Sequence, residues 1–100
     1  MKPYITLQGS LGAGSTTIFT VPTSKSYTIT FIRVNNPAAY DFTLTKYQAI
    51  TASTVDVYAL SLAAGDTVTD NFVYLFDPGD QLILTSSIAG TTYQILGTEY

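Results

Sequence analysis

The stretch most suggestive of chemistry is Gly9-Ser10-Leu11-Gly12-Ala13-Gly14-Ser15-Thr16. It comes close to a phosphate-binding loop, in which Gly, four residues, Gly, Lys and then Ser or Thr wrap backbone amides around a nucleotide's phosphates. Ser15 stands where the Lys is needed, so the charge that meets the phosphates is missing. Such a loop also opens a helix whose N-terminus faces the phosphate. Here Thr16-Thr17-Ile18-Phe19-Thr20-Val21 follows, and that is a strand pattern. Residues 9–15 therefore read as a Gly-rich turn.

Asp66, Asp70, Asp77 and Asp80 fall within 15 residues. Loop carboxylates suit Ca²⁺, but the spacing is not that of an EF-hand. Gly65-Asp66 and Asp77-Pro78-Gly79-Asp80 have the composition that turns use for themselves. A glycosidase needs two carboxylates facing each other across a groove, and no spacing here sets one up. With no Cys and no His, disulfides, thiolate or imidazole metal sites and His- or Cys-based catalysis are excluded. The expectation is a protein that is not an enzyme and carries no cofactor or metal.

The remaining candidates are contact residues. Arg33, the only Arg, sits in the most apolar stretch of the chain. It is either a snorkelling edge residue or an anchor at an interface. Asn35 and Asn36 form an adjacent loop able to touch a neighbour. Tyr40 and the C-terminal Tyr100 belong to a set of eight tyrosines spread along the chain. Tyr suits contact surfaces because one end is apolar and the other polar.

The elements that must position these residues are strands. Thr, Tyr, Val, Ile and Phe favour strands, and Thr alone is 17 of 100 residues. Strand patterns run over 4–8, 16–21, 27–34, 40–47, 55–62, 67–69, 72–76, 81–85 and 91–98. Pro22, Asn35-Asn36-Pro37 and Asp77-Pro78-Gly79-Asp80 punctuate them, the last with Pro and Gly where a type II turn wants them. About eight short strands at this spacing predict an all-β antiparallel sandwich, jelly-roll or Ig-like. Residues 1–100 read as a single domain without linker or internal repeat. The strand 27–34 poses a problem, because Ile29 and Phe31 lie in one alternating set and Ile32 and Val34 in the other. Burial under a loop or a local bulge would explain this, and so would a subunit interface.

Charged residues are 11% of the chain and the net charge is −3, against about 25% charged in an ordinary globular protein. Four scattered cations make no nucleic-acid footprint. No apolar run is long enough for a membrane helix, and the start MKPYITLQG lacks the apolar core of a signal peptide. Thin charge with 25 Ser and Thr residues suits a chain whose surface is partly covered by partners.

From Leu11 onward the chain resembles the small β-sandwich virion proteins of tailed bacteriophages. The similarity rests on Thr20-Val21-Pro22, then Tyr27-Thr28-Ile29-Thr30-Phe31-Ile32-Arg33-Val34-Asn35-Asn36, then Phe42-Thr43-Leu44-Thr45. It continues through Leu75-Phe76-Asp77-Pro78-Gly79-Asp80-Gln81-Leu82 and closes on Thr92-Tyr93-Gln94-Ile95-Leu96-Gly97-Thr98-Glu99-Tyr100. The resemblance implies a structural role in the virion, assembled in the host cytoplasm. It implies homo-oligomers, often trimers, and does not choose between head and tail; the thin charge and the uninterrupted compact domain favour a capsid decoration or auxiliary subunit that binds major capsid or tail proteins. A tail or baseplate accessory protein is the nearest alternative. A carbohydrate-binding or adhesin-type sandwich is the other; it would show two or three tyrosines exposed together on one sheet face.

Overall fold

The computed structural model describes residues 4–100. Nine strands follow one another: β1 (Tyr4–Leu11), β2 (Gly14–Thr20), β3 (Tyr27–Asn35), β4 (Tyr40–Gln48), β5 (Ser53–Leu62), β6 (Thr67–Asp70), β7 (Tyr74–Phe76), β8 (Gln81–Ser86) and β9 (Thr91–Glu99). One sheet has the order β1-β9-β3, with β6 and β7 both pairing β3 along its other side; the second has the order β2-β8-β4-β5. Every pairing is antiparallel.

The pairing is nested along the chain. β4 and β5 form a hairpin around residues 49–52. Outside it β3 pairs β6 and β7, then β2 pairs β8, then β1 pairs β9. A long antiparallel ribbon rolled in this way is a jelly roll. β6 and β7 are its sixth strand, broken at Asn71–Val73, so the eight strands of the roll come in nine pieces.

The core lies between the sheets. Ile29, Ile32 and Val34 of β3 meet Phe42 and Leu44 of β4, Leu82 and Leu84 of β8 and Ile95 of β9, all with 0% exposure. Strand β8 shows the simplest origin of this layer: Leu82, Leu84 and Ser86 are buried while Gln81, Ile83 and Thr85 alternate with them on the wetter face. The period of two puts one set inside.

Strand β3 breaks that period. Its register against β9 shifts between Ile29 and Phe31, so Thr30 is an extra residue and the strand changes phase there. Ile29 before the bulge and Ile32 and Val34 after it all point into the core, whereas Arg33 is exposed. The two-sided apolar pattern of residues 27–34 therefore comes from the bulge, not from a second buried face. Similar slips occur at Ile18 in β2 and at Val57 in β5.

The glycine-rich segment is shorter as a turn than its composition implies. β1 continues through Gly9 to Leu11, and β2 begins at Gly14. Only Gly12 and Ala13 remain, at the corner where the chain passes from one sheet to the other.

Candidate interaction surface

Three of the four clustered aspartates spend their carboxylates on turn amides. Asp80 Oδ1 accepts the Ala49 amide at 2.9 Å and Oδ2 the Asp77 amide at 2.9 Å. The Asp80 amide donates to the Asp77 carbonyl at 3.0 Å, and Gly79 has φ +86°, as a type II turn requires. Asp66 Oδ2 accepts the Ala63 amide at 3.2 Å. Asp70 Oδ1 accepts the Phe72 amide at 2.9 Å and Oδ2 the Tyr74 hydroxyl at 2.6 Å. Among the described residues no three carboxylates gather into a group able to hold a metal ion.

Of the five expected contact residues, two lie inside. Asn36 is 2% exposed. Its Oδ1 accepts the Ala38 amide at 2.9 Å, and its Nδ2 donates to Thr91 Oγ1 at 2.9 Å and to the Ala89 carbonyl at 3.3 Å. Tyr40 is 3% exposed, and its hydroxyl donates to the Asp66 carbonyl at 2.7 Å. Burial, with the Asp66 charge adding to it, raises the Tyr40 hydroxyl above its usual 10. Both side chains tie loops to the sandwich ends and present nothing outward. The expectation of an exposed Asn36 loop is thus corrected: a buried amide needs its hydrogen bonds satisfied, and this one draws residues 36–38 and 89–91 together.

The other three face outward. Arg33 and Asn35 lie on the outer face of the first sheet. Gln8, Gln94, Arg33 and Thr69 form one row across four strands, and Ser10, Thr92, Asn35 and Thr67 form the next. A polar depression of about 280 Å³ opens among Gln8, Arg33, Asn35, Thr92 and Gln94. Asn35 is held in place, its Nδ2 donating to Thr67 Oγ1 at 2.8 Å and to the Gly65 carbonyl at 2.9 Å. Tyr100 is half exposed, with its backbone fixed by a reciprocal pair of hydrogen bonds to Ser26. Of the eight tyrosines only Tyr4 and Tyr100 are exposed, so no sheet face carries a platform of several.

Sequence reasoning missed a second surface. A cleft of about 470 Å³ opens between β5 and β6, lined by Tyr58, Leu60, Val68, Thr69, Asp70, Asn71 and Phe72. Phe72 is 76% exposed, and Val73, Leu75 and Leu60 are also exposed. The Tyr58 hydroxyl is enclosed there without a hydrogen bond. Asp70 is nearby, its two oxygens accepting from the Phe72 amide and the Tyr74 hydroxyl. Burial first, then the neighbouring Asp70 and Tyr74, raises the Tyr58 hydroxyl well above its usual 10. The signal for this region was Asp70-Asn71, a pair that favours turns and leaves Phe72 and Val73 outside β7.

No family model matches the sequence, and no curated protein sequence matches it. The fold, however, has close counterparts. A protein of the disulfide-linked pili on Bacillus endospores aligns over 100% of this chain and 86% of its own, at 12% identity and a TM-score of 0.60. The Drosophila NLP core, a pentamer that binds histones, aligns over 98% of both chains at 8% identity and a TM-score of 0.56. A pentameric capsid protein isolated from metagenomic phage sequences aligns over 93% of this chain and 59% of its own, at 17% identity and a TM-score of 0.50. At these identities the likeness is one of fold: an all-β jelly roll found in several structural and assembling proteins.

Proposed function

We propose that this chain is a structural subunit of a phage particle that acts by contact, as a decoration or cement subunit on the capsid. The jelly roll it shares with the pentameric phage capsid protein is the observation that carries this reading. The surface agrees with it. Charge is thin, the outer face of the first sheet is hydroxyl- and amide-rich around Arg33, and Phe72, Val73 and Leu75 are exposed without cover. The pilus counterpart assembles through disulfides, a route closed to a chain without Cys.

Arg33, Asn35 and Tyr100 are the contact residues in this reading. The test is mass spectrometry of purified particles of the virus that encodes the chain, followed by re-addition of purified protein to particles stripped of it. Stoichiometric presence and saturable rebinding support the role. Absence from particles, or no rebinding to heads, overturns it.

A further inference from the structure

We propose that β5 is a homotypic docking edge, along which two copies of this chain pair antiparallel about a two-fold axis and join their β2-β8-β4-β5 sheets into one. β5 is the longest strand, with ten residues, and lies at the edge of its sheet. An edge strand offers a row of unpaired amides and carbonyls, and proteins usually blunt it with Lys, Pro or inward charge. Ser53–Leu62 contains no Lys, Arg or Pro. Its single charge, Asp56, is turned back onto β4, where Oδ1 accepts the Thr45 hydroxyl at 2.8 Å. The bulge at Val57 is the only other guard. Eight of the ten residues are exposed, among them Val55 at 48% and Leu60 at 41%.

Such an edge is a template for a second strand, and β5 is complementary to itself. A two-fold axis between Val57 and Tyr58 sets Val55 against Leu60 of the partner subunit and Asp56 against Ala59 of the partner subunit, so no two carboxylates meet. The remaining edges serve less well. β1 and β2 are shorter, with eight and seven residues, and β6 and β7 are separated by three residues. Ten residues extend about 33 Å, and the axis between Val57 and Tyr58 lets all ten positions pair. Pairing there also covers the mouth of the cleft beside Leu60.

This pairing and the virion reading fail separately, because a dimer in solution is measured without any particle. Sedimentation of the full chain over a concentration series should show a mass of twice 10.8 kDa. Val55→Lys and Leu60→Glu should each weaken the dimer at least about tenfold with circular dichroism unchanged, and an equimolar mixture of the two should restore it. Tyr4→Lys, on a different edge, should leave it intact. Independently of any variant, amide exchange in β5 should slow as the wild-type concentration rises. A monomer at every concentration, an assembly larger than two, a mixture that stays monomeric, or β5 exchange insensitive to concentration overturns the proposal.

Discussion

Tyr74 donates its hydroxyl to Asp70 Oδ2 at 2.6 Å, and this pair closes the break between β6 and β7. Asp70 sits at the end of one half of the interrupted strand and Tyr74 at the start of the other, so one short hydrogen bond fixes the loop that carries Phe72. Burial first, and then the hydrogen bond and charge of Asp70, push the Tyr74 hydroxyl up to about 12 from 10. The protonated form is the one the fold favours. Its contribution is therefore complete below pH 10 and is lost as pH rises from 10 through about 12. Tyr27, Tyr40 and Tyr58 are raised as well. Urea unfolding at about pH 9 and about pH 11 should show the loss, and Tyr74→Phe should reduce it, the remainder coming from the other raised tyrosines. An unfolding midpoint equal at both pH values contradicts this account.

Gly97 faces Ile29 across β9 and β3, one step before the bulge at Thr30. A Cβ there would overlap the Thr28 carbonyl oxygen and come within 2.8 Å of Ile29 Cδ1. The obstruction is backbone in a paired strand, so it cannot swing aside. Gly97→Ala should cost about 3 kcal/mol or more, above the usual range for one added methyl in a core. Equilibrium urea unfolding measures it, and Gly12→Ala, where a Cβ would meet nothing within 4 Å, is the control expected to be near neutral.

That pairing explains where sequence reading stopped. Strand-rich composition, turn residues and spacing made the two-sheet class legible, and Asp77-Pro78-Gly79-Asp80 was read down to its turn type. The bulge was legible only as one of three explanations of the two-sided apolar pattern, because no residue in Tyr27–Asn35 marks which position is extra. Matching Phe31 and Ile29 to Leu96 and Gly97 chooses it and places it at Thr30. The contact residues divided for a similar reason. Exposed Arg33 and buried Asn36 are three positions apart in chain, and only the loops packed over Asn36, residues 89–91, decide which is which. The β5–β6 cleft depends on which strands end a sheet, a property of topology that local pattern does not carry.

Asp80 ties the β4–β5 hairpin turn to the turn that carries the chain from β7 to β8. It is 3% exposed, holds the Ala49 and Asp77 amides, and accepts Val21's amide through its own carbonyl at 2.9 Å. Lys46 lies 3.7 Å from Oδ2, also donates to the Leu75 carbonyl, and stands 5.1 Å above the Phe76 ring. Asp80→Ala should cost about 2 kcal/mol because two part-buried amides lose their charged acceptor. Lys46→Met should cost less than about 1 kcal/mol, since a partly exposed ion pair contributes little and the aliphatic stem is kept. Urea unfolding of both variants ranks them, and equal costs would mean that the ion pair, not the amide capping, holds the turn.

Arg33 and Asn36 should separate contact from stability. Asn36 satisfies three groups in a buried corner, and its Thr91 partner in turn shares a 2.7 Å hydrogen bond with Ser86. Asn36→Ala should destabilise the fold by about 2–3 kcal/mol, because the Ala38 amide and the Thr91 hydroxyl each lose a partner in a dry site. Arg33 is exposed in the polar depression beside Gln8 and Gln94. Arg33→Ala should change stability by no more than about 0.5 kcal/mol. At a particle contact, however, an anchoring Arg typically costs about 2 kcal/mol or more when truncated. Thermal unfolding and rebinding to stripped particles read the two effects separately. An Arg33 variant that rebinds with wild-type affinity would remove that face from the contact, while an Asn36 variant that unfolds like wild type would mean the corner hydrogen bonds are replaceable by water.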